Sequence, residues 1–523
     1  MIATSRRLLI TAVLAVTALF AAACSGLPAL TRDDEPLSIV AATELEGLAP
    51  ALEEASDDLG FPITVEYPGG TLTNSRELAD GVFDHQVDAT WFATNRYVHL
   101  RGAGDKLADS HEIASSPVGF GVQSATAREL GWDARQPTWA EIRDAATGED
   151  FTFGMTDPTS SNSGFSALVS VATALADTGT ALTTQDIERV APDLRGFFAG
   201  QALTSGSSGW LAQAFEERPD SVDAIINYES VLTDLRHDGM DIQVVVPADG
   251  VISADYPLST MAEPAHDGAG EQVAALAQWF AEHPEKLTEA SLRPTTGGDL
   301  PAELADTSVI ELPFPGSMAV TDELLAAYAN ELRRPGSTAF VLDTSGSMEG
   351  ERLSSLQNIM HSLIDGTAAT PLGEVGLRDN EQVSLIPFAS APRQPTEVTF
   401  DREDGAIRDT LNYQVSDFRA DGSTAIYEAL RVAYDDVDAS GGSIPSIVLM
   451  TDGELTEGMT FEQFRNFHAG LSPQQQDVPV FVILYGEANA REMAALAELT
   501  GGKVFNALDG DLAEAFKEIR AYQ

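Results

Sequence analysis

Cysteine and basic residues are scarce in this sequence. Of its 523 residues only Cys24 is a cysteine, and Lys and Arg together number 30 against 81 Asp and Glu. A single thiol excludes an internal disulfide framework. The formal net charge of −51 repels phosphate backbones, which excludes general nucleic-acid binding. The same acidity attracts divalent cations, although it equally suits simple solubility in a salty surrounding.

Long apolar runs are also missing, except at the N-terminus. Arg6 and Arg7 precede a stretch of apolar or small residues, 8–23, which has the shape of an export signal and is short for a membrane-spanning helix. Three alanines stand directly before Cys24, a pattern that resembles a bacterial lipobox. The resemblance implies cleavage before Cys24 and its lipidation, which anchors an exported protein to the outer face of the cell membrane. The alternative is an ordinary signal peptide with an incidental cysteine.

The rest of the chain alternates strand-like and helix-like patterns. With 43% hydrophobic residues, it can bury sizeable cores, and its length predicts about two or three compact units. Strand patterns such as STAFVLD, QVSLIPF, SIVLMTD, VPVFVILYG and KVFNA alternate with amphipathic segments such as RLSSLQNIMHSLID, which predicts an α/β fold with a mostly parallel sheet. We predict a signal peptide at 1–23, a linker carrying the lipid at 24–36, an α/β module at 37–312, a linker at 313–336 and a second α/β domain at 337–523.

Oxygen-bearing side chains follow two predicted strands of the second domain, and another stands at the start of a predicted helix. Asp343, Ser345 and Ser347 come directly after the apolar run of STAFVLD, and Asp452 follows the apolar run of SIVLMTD. Thr424 stands at the predicted start of a helix. Ligands of open α/β sheets bind at the carboxyl ends of parallel strands, and oxygen donors on a tight glycine-containing loop suit a hard cation. The pattern therefore predicts a metal site.

These five residues resemble the metal-ion-dependent adhesion site of von Willebrand factor A (VWA) domains, a Rossmann-like fold. The resemblance implies direct contact of Ser345, Ser347 and Thr424 with Mg²⁺, with Mn²⁺ or Ca²⁺ as alternatives, while Asp343 and Asp452 act largely through water. The incomplete charge balance of such a site leaves a coordination position for an acidic residue of a protein partner. The alternative is a VWA domain whose site holds no metal.

The first module resembles the two-lobed type II periplasmic solute-binding proteins. The resemblance rests on segments such as AATE at 41–44, DATWFATN at 88–95 and INYE at 226–229, and on Ser- and Gly-rich turns before predicted helices. Free backbone N–H groups at helix N-termini favour anionic groups, so we expect a small polar or anionic solute. Helix capping explains the same turns without a ligand. The candidate solute contacts are Thr43, Thr90, Ser163, Ser207 and Tyr228.

Catalytic signatures are missing from the sequence. It has no GxSxG elbow, HExxH helix or phosphate-binding GxxxxGK[ST] loop, and we expect no enzyme. Our first hypothesis is a membrane-anchored extracytoplasmic binding protein, in which the VWA domain binds a protein partner through Mg²⁺ and the first module binds or senses a solute. The alternative is the solute receptor of an ABC-type importer with the VWA domain as an accessory. A hydrolase is a third and weaker hypothesis.

Overall fold

The computed structural model describes residues 35–523 except 149, 298, 306–307, 371–372, 440–441, 454, 487–488, 508–515, 517–518 and 520–523. The predicted signal peptide and the predicted lipidation site, Cys24, lie outside the described residues. Within the described ranges, no helix combines the length and the apolar character needed to cross a bilayer.

The first module alternates strands and helices, as its sequence pattern predicts. Its strands are β1 Leu37–Ala41, β2 Ile63–Glu66, β3 Ala89–Trp91, β4 Leu107–Glu112, β5 Ala114–Gln123, β6 Phe153–Thr156, β7 Gln201–Ser205, β8 Ala224–Tyr228, β9 Ile242–Val245, β10 Ser253–Ala254, β11 Pro257–Met261 and β12 Arg293–Pro294. Its helices are α1 Ala49–Leu59, α2 Thr71–Ala79, α3 Arg96–Leu100, α4 Ser124–Leu130, α5 Trp139–Thr147, α6 Asn162–Ala176, α7 Thr184–Phe198, α8 Ser208–Glu217, α9 Glu229–His237, α10 Ala269–Glu282, α11 Pro284–Glu289 and α12 Ala302–Ala305.

The strands form two sheets, which define two lobes. Lobe 1 is a five-stranded sheet in the order β2-β1-β3-β11-β4, with β1 parallel to β2 and β3. Lobe 2 is a seven-stranded sheet with the main order β10-β5-β8-β6-β7, in which β9 and β12 also pair with β5. Strands β8, β6 and β7 run parallel. Each lobe has a hydrophobic core of its own, so the predicted two-lobed α/β module is confirmed.

Short connections join the lobes. The chain enters lobe 2 at Ile113, returns to lobe 1 through Asp255 and Tyr256, and reaches lobe 2 again before β12. The Ile113 N–H donates to the Tyr256 carbonyl at 3.4 Å, and the N–H groups of Asp255 and Tyr256 both donate to the Ala93 carbonyl. Tyr256 has a positive φ of 35°, which is uncommon for a side chain of this size. These adjacent connections are the hinge between the lobes.

The predicted linker 313–336 contains a helix that belongs to lobe 2. Helix α13, Met318–Ala327, continues as a π-helical turn, Tyr328–Leu332. Its apolar side chains recur at helical spacing and are buried in the lobe 2 core: Leu324, Leu325, Tyr328 and Leu332. The Gln201 amide donates to the Tyr328 hydroxyl at 3.0 Å. The segment is therefore a packed connection, and it leads directly into the first strand of the second domain.

The second domain also follows the predicted alternation. Its strands are β13 Gly336–Asp343, β14 Ala368–Thr370, β15 Gly373–Val375, β16 Gln382–Phe388, β17 Thr396–Thr399, β18 Ile444–Thr451, β19 Val480–Leu484 and β20 Val504–Asn506. Its helices are α14 Glu351–Asp365, α15 Gly405–Ser416, α16 Ile426–Asp436, α17 Phe461–His468, α18 Pro473–Gln476 and α19 Ala490–Thr500.

A six-stranded sheet in the order β17-β16-β13-β18-β19-β20 forms the centre of this domain. All pairs are parallel except the edge pair β16–β17. Alternating side chains of β13 enter two cores: Phe340 and Leu342 pack on one face, Ala339 and Val341 on the other. Both faces are thus buried under helices, which explains why the strands read as continuous apolar runs rather than as alternating ones.

The second domain contacts lobe 2 through an ion pair. Arg378, which precedes β16, donates from Nη2 to Oδ2 of Asp157, which follows β6, at 3.2 Å. The Asp157 side chain is 3% exposed and that of Arg378 is 18% exposed, so solvent screens the pair only weakly. The start of β16 is therefore fixed to the loop that follows β6.

Candidate functional site

Three loops of the second domain meet at the carboxyl edge of its sheet. Strand β13 ends at Asp343 and its neighbour β18 ends at Thr451. The loop that precedes α16 is joined to the loop after β13 by two backbone hydrogen bonds, from the Gly346 N–H to the Gly422 carbonyl and from the Asp421 N–H to the Thr344 carbonyl, both at 3.0 Å. We call these three loops the sheet-edge site.

Asp343 lies at the centre of the sheet-edge site and is fully buried. Its Oδ1 accepts a hydrogen bond from the Ser345 N–H at 2.8 Å, and its Oδ2 accepts one from the Thr451 hydroxyl at 2.6 Å. Burial, and to a lesser degree the charge of Asp452, raise the pKa of Asp343 to about 6. The two carboxylates therefore lie close enough to repel each other, an arrangement that a cation stabilises.

The predicted hydroxyl donors lie in the same region. Ser345 and Ser347 have their Oγ atoms 3.0 Å apart; Ser345 is buried and Ser347 is exposed. Thr424, two residues beyond the Gly422 contact, is buried, and its N–H donates to the Thr456 hydroxyl at 2.8 Å. Hydroxyl and carboxylate oxygens are the donors that a small hard cation prefers, so the residues present fit Mg²⁺.

Asp452 has a basic partner that the sequence patterns did not single out. Arg352, at the start of α14, donates from Nη1 to Oδ2 of Asp452 at 2.9 Å and to the Ser347 carbonyl at 3.1 Å. Asp452 is 2% exposed, whereas the Arg352 side chain is 44% exposed. A guanidinium group thus lies on the rim of the sheet-edge site, bound to one of its carboxylates. Thr451 is the second participant that sequence reasoning missed.

A second candidate site lies between the lobes of the first module. The 3₁₀-helix Thr43–Leu48, after β1, packs against α8 of lobe 2. The lobes also approach at Gly70, where an added Cβ would lie 3.0 Å from the Ser160 carbonyl oxygen. In lobe 2, Ser163 and Ser207 follow the ends of β6 and β7, and Tyr228 is the last residue of β8. We call the space between these loops the cleft.

Hydroxyl groups at the cleft form hydrogen bonds with one another. Ser163 has its Oγ within hydrogen-bond distance of the hydroxyls of Thr156 at 2.9 Å, Ser161 at 3.3 Å and Ser208 at 2.7 Å. Ser207 accepts a hydrogen bond at its carbonyl from the Ser205 hydroxyl. The hydroxyl of Ser163 is therefore already used within lobe 2.

Aromatic and acidic side chains meet at the hinge end of the cleft. The rings of Tyr228 and Tyr256 lie 6.2 Å apart, and Asn162 donates from Nδ2 to the Tyr228 hydroxyl at 2.6 Å. Burial, followed by the charge of Glu44, raises the pKa of both tyrosines. The Thr43 hydroxyl donates to Glu44 at 3.4 Å. Thr43 and Tyr228 are thus brought together, along with Glu44, Asn162 and Tyr256, which were not among the predicted contacts.

Thr90 is not part of this group. Thr90 pairs in register with Val40 of β1. The side chain of Val40 packs in one core of lobe 1, whereas Trp91, the residue after Thr90, packs in another. The buried hydroxyl of Thr90 therefore points to the face of the lobe 1 sheet opposite Trp91. Contact of Thr90 with a solute, which the sequence suggested, stays a prediction.

Comparisons with known proteins define the class of the second domain. Residues 339–519 match the family model of the von Willebrand factor type A domain, and the C-terminal region therefore carries a VWA domain. A search of curated proteins finds no match to the chain.

Solved structures resemble the two parts of the chain separately. The periplasmic binding protein AfuA from Actinobacillus pleuropneumoniae is 13% identical, with a TM-score of 0.46 over 57% of this chain and 98% of its own. The sulfate-binding protein SubI from Mycobacterium tuberculosis is 19% identical, with a TM-score of 0.42 over 55% and 98%. A von Willebrand factor type A protein from Catenulispora acidiphila is 19% identical, with a TM-score of 0.28 over 36% and 42%. At such distances, what these proteins bind says nothing of what this chain binds.

Proposed function

We propose that this protein is an exported binding protein, anchored by lipid at Cys24 to the outer face of the cell membrane. In this proposal, the VWA domain binds a protein partner through Mg²⁺ at the sheet-edge site, and the first module binds a small polar solute in the cleft. Binding rather than catalysis is the role that both arrangements support.

The observation that carries the metal proposal is the convergence of Asp343, Ser345 and Thr451 with the Gly422 loop through short hydrogen bonds. Ser345, Ser347 and Thr424 would hold Mg²⁺ directly, while Asp343 and Asp452 balance its charge. When bound, Mg²⁺ supplies a positive centre with a coordination position for a carboxylate of the partner. The protein residues orient the donors, and Asp343 is held in one orientation by its two hydrogen bonds.

Metal-dependent unfolding of the full chain tests this proposal. We expect Mg²⁺ to raise the melting temperature relative to EDTA, because a ligand at a hundred times its Kd stabilises the folded state by about 2.7 kcal/mol. Asp343→Ala should abolish the shift, whereas Asp409→Ala, which removes an exposed carboxylate on α15, should retain it. An unchanged melting curve for the unmodified chain at millimolar Mg²⁺ contradicts the proposal.

Capture of a partner from membrane extracts should show the same dependence on Mg²⁺ and Asp343.

A further inference from the structure

The carboxyl group of Glu44 lies in the cleft without a basic partner. Burial raises its pKa to about 7, and the groups that oppose this shift are its own N–H and the Thr43 hydroxyl, with no basic side chain of the described residues among them. Its charge acts on Tyr228 and Tyr256, the two buried aromatic residues at the hinge end of the cleft. The cleft therefore presents a carboxyl group with which no basic side chain of the described residues pairs.

Two buried polar atoms next to these rings are also unsatisfied. Asn162 is 3% exposed, and its Oδ1 has no hydrogen-bond partner among the described residues. Tyr256 is fully buried; Ser230 approaches its hydroxyl, but no described group meets it with hydrogen-bond geometry. An unsatisfied buried polar group costs about 1–3 kcal/mol. An amide oxygen accepts only, so a ligand that satisfies Asn162 must be a donor.

One basic side chain near the cleft, Arg96, is engaged by carboxylates of the protein itself. Arg96, at the start of α3, contacts Asp255 at 3.5 Å and Glu311 at 3.1 Å. The Ser163 hydroxyl at the start of α6 is used by neighbouring hydroxyls. Asp255 adds a second negative charge that acts on Tyr228 and Tyr256. Helix N-termini, such as those of α2 and α6, are left to attract an anion, and Glu44 opposes them.

We propose that the cleft binds a small solute with a protonated amine, whose charge pairs with Glu44 and whose N–H group donates to Asn162 Oδ1. This rests on the proposed solute-binding function and names the chemical class of its ligand. Tyr228 and Tyr256 form an aromatic wall beside that ammonium group, a surrounding that favours cations. An N–H donor, rather than a fully methylated nitrogen, is what the unpaired amide oxygen requires.

Three sets of probes on the full chain test the ligand class: ethanolamine and putrescine, sodium phosphate and sulfate, and glycerol and glucose. Affinities are measured by titration calorimetry and melting temperatures by scanning fluorimetry, at constant ionic strength. We expect an amine probe to bind and stabilise the protein. Glu44→Gln should weaken this binding by about 10- to 100-fold, the scale of a charge-assisted hydrogen bond. Glu46→Gln, which alters an exposed carboxylate of the same turn, is the matched control and should bind as the unmodified chain does.

The outcomes separate the ligand class from the solute-binding function. Binding of phosphate, sulfate or a polyol without binding of the amines overturns the amine assignment and leaves the function standing. If no probe of any set binds, the amine assignment and the proposed solute-binding function both fail. Equal amine affinity of Glu44→Gln and the unmodified chain also overturns the assignment. Glu44→Gln removes a partly buried charge, so we expect the variant to fold and, above pH 7, to melt no lower than the unmodified chain. An unchanged melting temperature then shows that a loss of binding does not come from unfolding.

Discussion

The sheet-edge site and the cleft are both built at the ends of parallel strands, yet they are held together differently. At the sheet-edge site, Asp343 and Thr451 end neighbouring strands of one sheet, and their side chains are joined at 2.6 Å. In the cleft, Glu44 follows a strand of lobe 1, whereas Asn162 and Tyr228 belong to lobe 2. One site is fixed by a single sheet, and the other depends on how two sheets approach.

This difference has consequences for how each site binds. The donors of the sheet-edge site are positioned before any ligand arrives, because strand register fixes the ends of β13 and β18. The cleft has Glu44 and the Tyr228–Asn162 pair on separate bodies joined by the hinge. A ligand that bridges the two lobes stabilises one hinge position over others. We therefore expect the sheet-edge site to keep its geometry when a ligand binds and the two lobes to close around a ligand in the cleft.

The largest expected effect comes from Gly164 at the cleft, with Gly346 at the sheet-edge site as its comparison. An added Cβ at Gly164, in the first turn of α6, would lie 2.1 Å from the Thr156 carbonyl oxygen, whereas one at Gly346 would lie 3.3 Å from the Gly422 carbonyl oxygen. We expect Gly164→Ala to destabilise lobe 2 by about 2–3 kcal/mol, because α6 must move away from β6. Gly346→Ala should cost less than about 1 kcal/mol, since its neighbour has to shift by only a few tenths of an ångström.

Calorimetric melting of the two glycine variants checks this expectation. Gly164→Ala should lower the melting transition of the first module and weaken solute binding, while Gly346→Ala should leave that transition unchanged. A larger loss for Gly346→Ala than for Gly164→Ala would contradict the packing argument, and with it the view that the start of α6 fits tightly against its strand.

Most of the fold follows from patterns in the sequence. The segment RLSSLQNIMHSLID predicts α14, and its apolar residues Leu353, Leu356, Met360 and Leu363 are indeed buried against the sheet. Strand β16 coincides with the predicted QVSLIPF. Both follow because hydrophobic periodicity reports which face is buried. The segment 313–336 was predicted as a linker, and the packing of its helix α13 into lobe 2 depends on tertiary contacts that local patterns do not report.

The two sites differ in how far sequence could predict them. Four of the five predicted metal ligands lie in short motifs directly after two neighbouring strands, so their convergence at one sheet edge follows from topology. Thr424 lies before a helix. The cleft contacts come from strand ends in two lobes, and Tyr256 lies in a hinge connection that carries no motif. Thr90 shows another limit, since a motif locates a strand end but does not say which face of the sheet a side chain occupies. Arg352 reaches Asp452 across a hundred positions of the chain, a contact that no local pattern contains.

A smaller effect is expected at Thr451, which tests how rigidly the sheet-edge site is held. Thr451→Val keeps the shape of the side chain but removes the hydroxyl that donates to Oδ2 of the buried Asp343. We expect a loss of about 1–2 kcal/mol in the stability of the VWA domain without metal, and a smaller Mg²⁺-induced rise in melting temperature. Thr399→Val, at an exposed position of the edge strand β17, is the matched control. Equal Mg²⁺ responses of the two variants would mean that Asp343 needs no second hydrogen bond to stay in place.

The smallest expected effect concerns Arg352. This residue gives a carboxylate of the sheet-edge site a basic partner, which distinguishes that site from the cleft. Asp452 already has a cationic partner at 2.9 Å, whereas Glu44 has none among the described residues. A metal ion at the sheet edge must therefore share Asp452 with a guanidinium group. We expect Arg352→Gln to bind Mg²⁺ about two- to fivefold more tightly, because a partly exposed charge contributes on the order of 0.5–1 kcal/mol. Arg352→Lys keeps the charge and should stay close to the unmodified affinity. Mg²⁺ titrations followed by melting temperature distinguish the two possibilities: weaker binding by Arg352→Gln would mean that the guanidinium group positions Asp452 for the metal rather than competing with it.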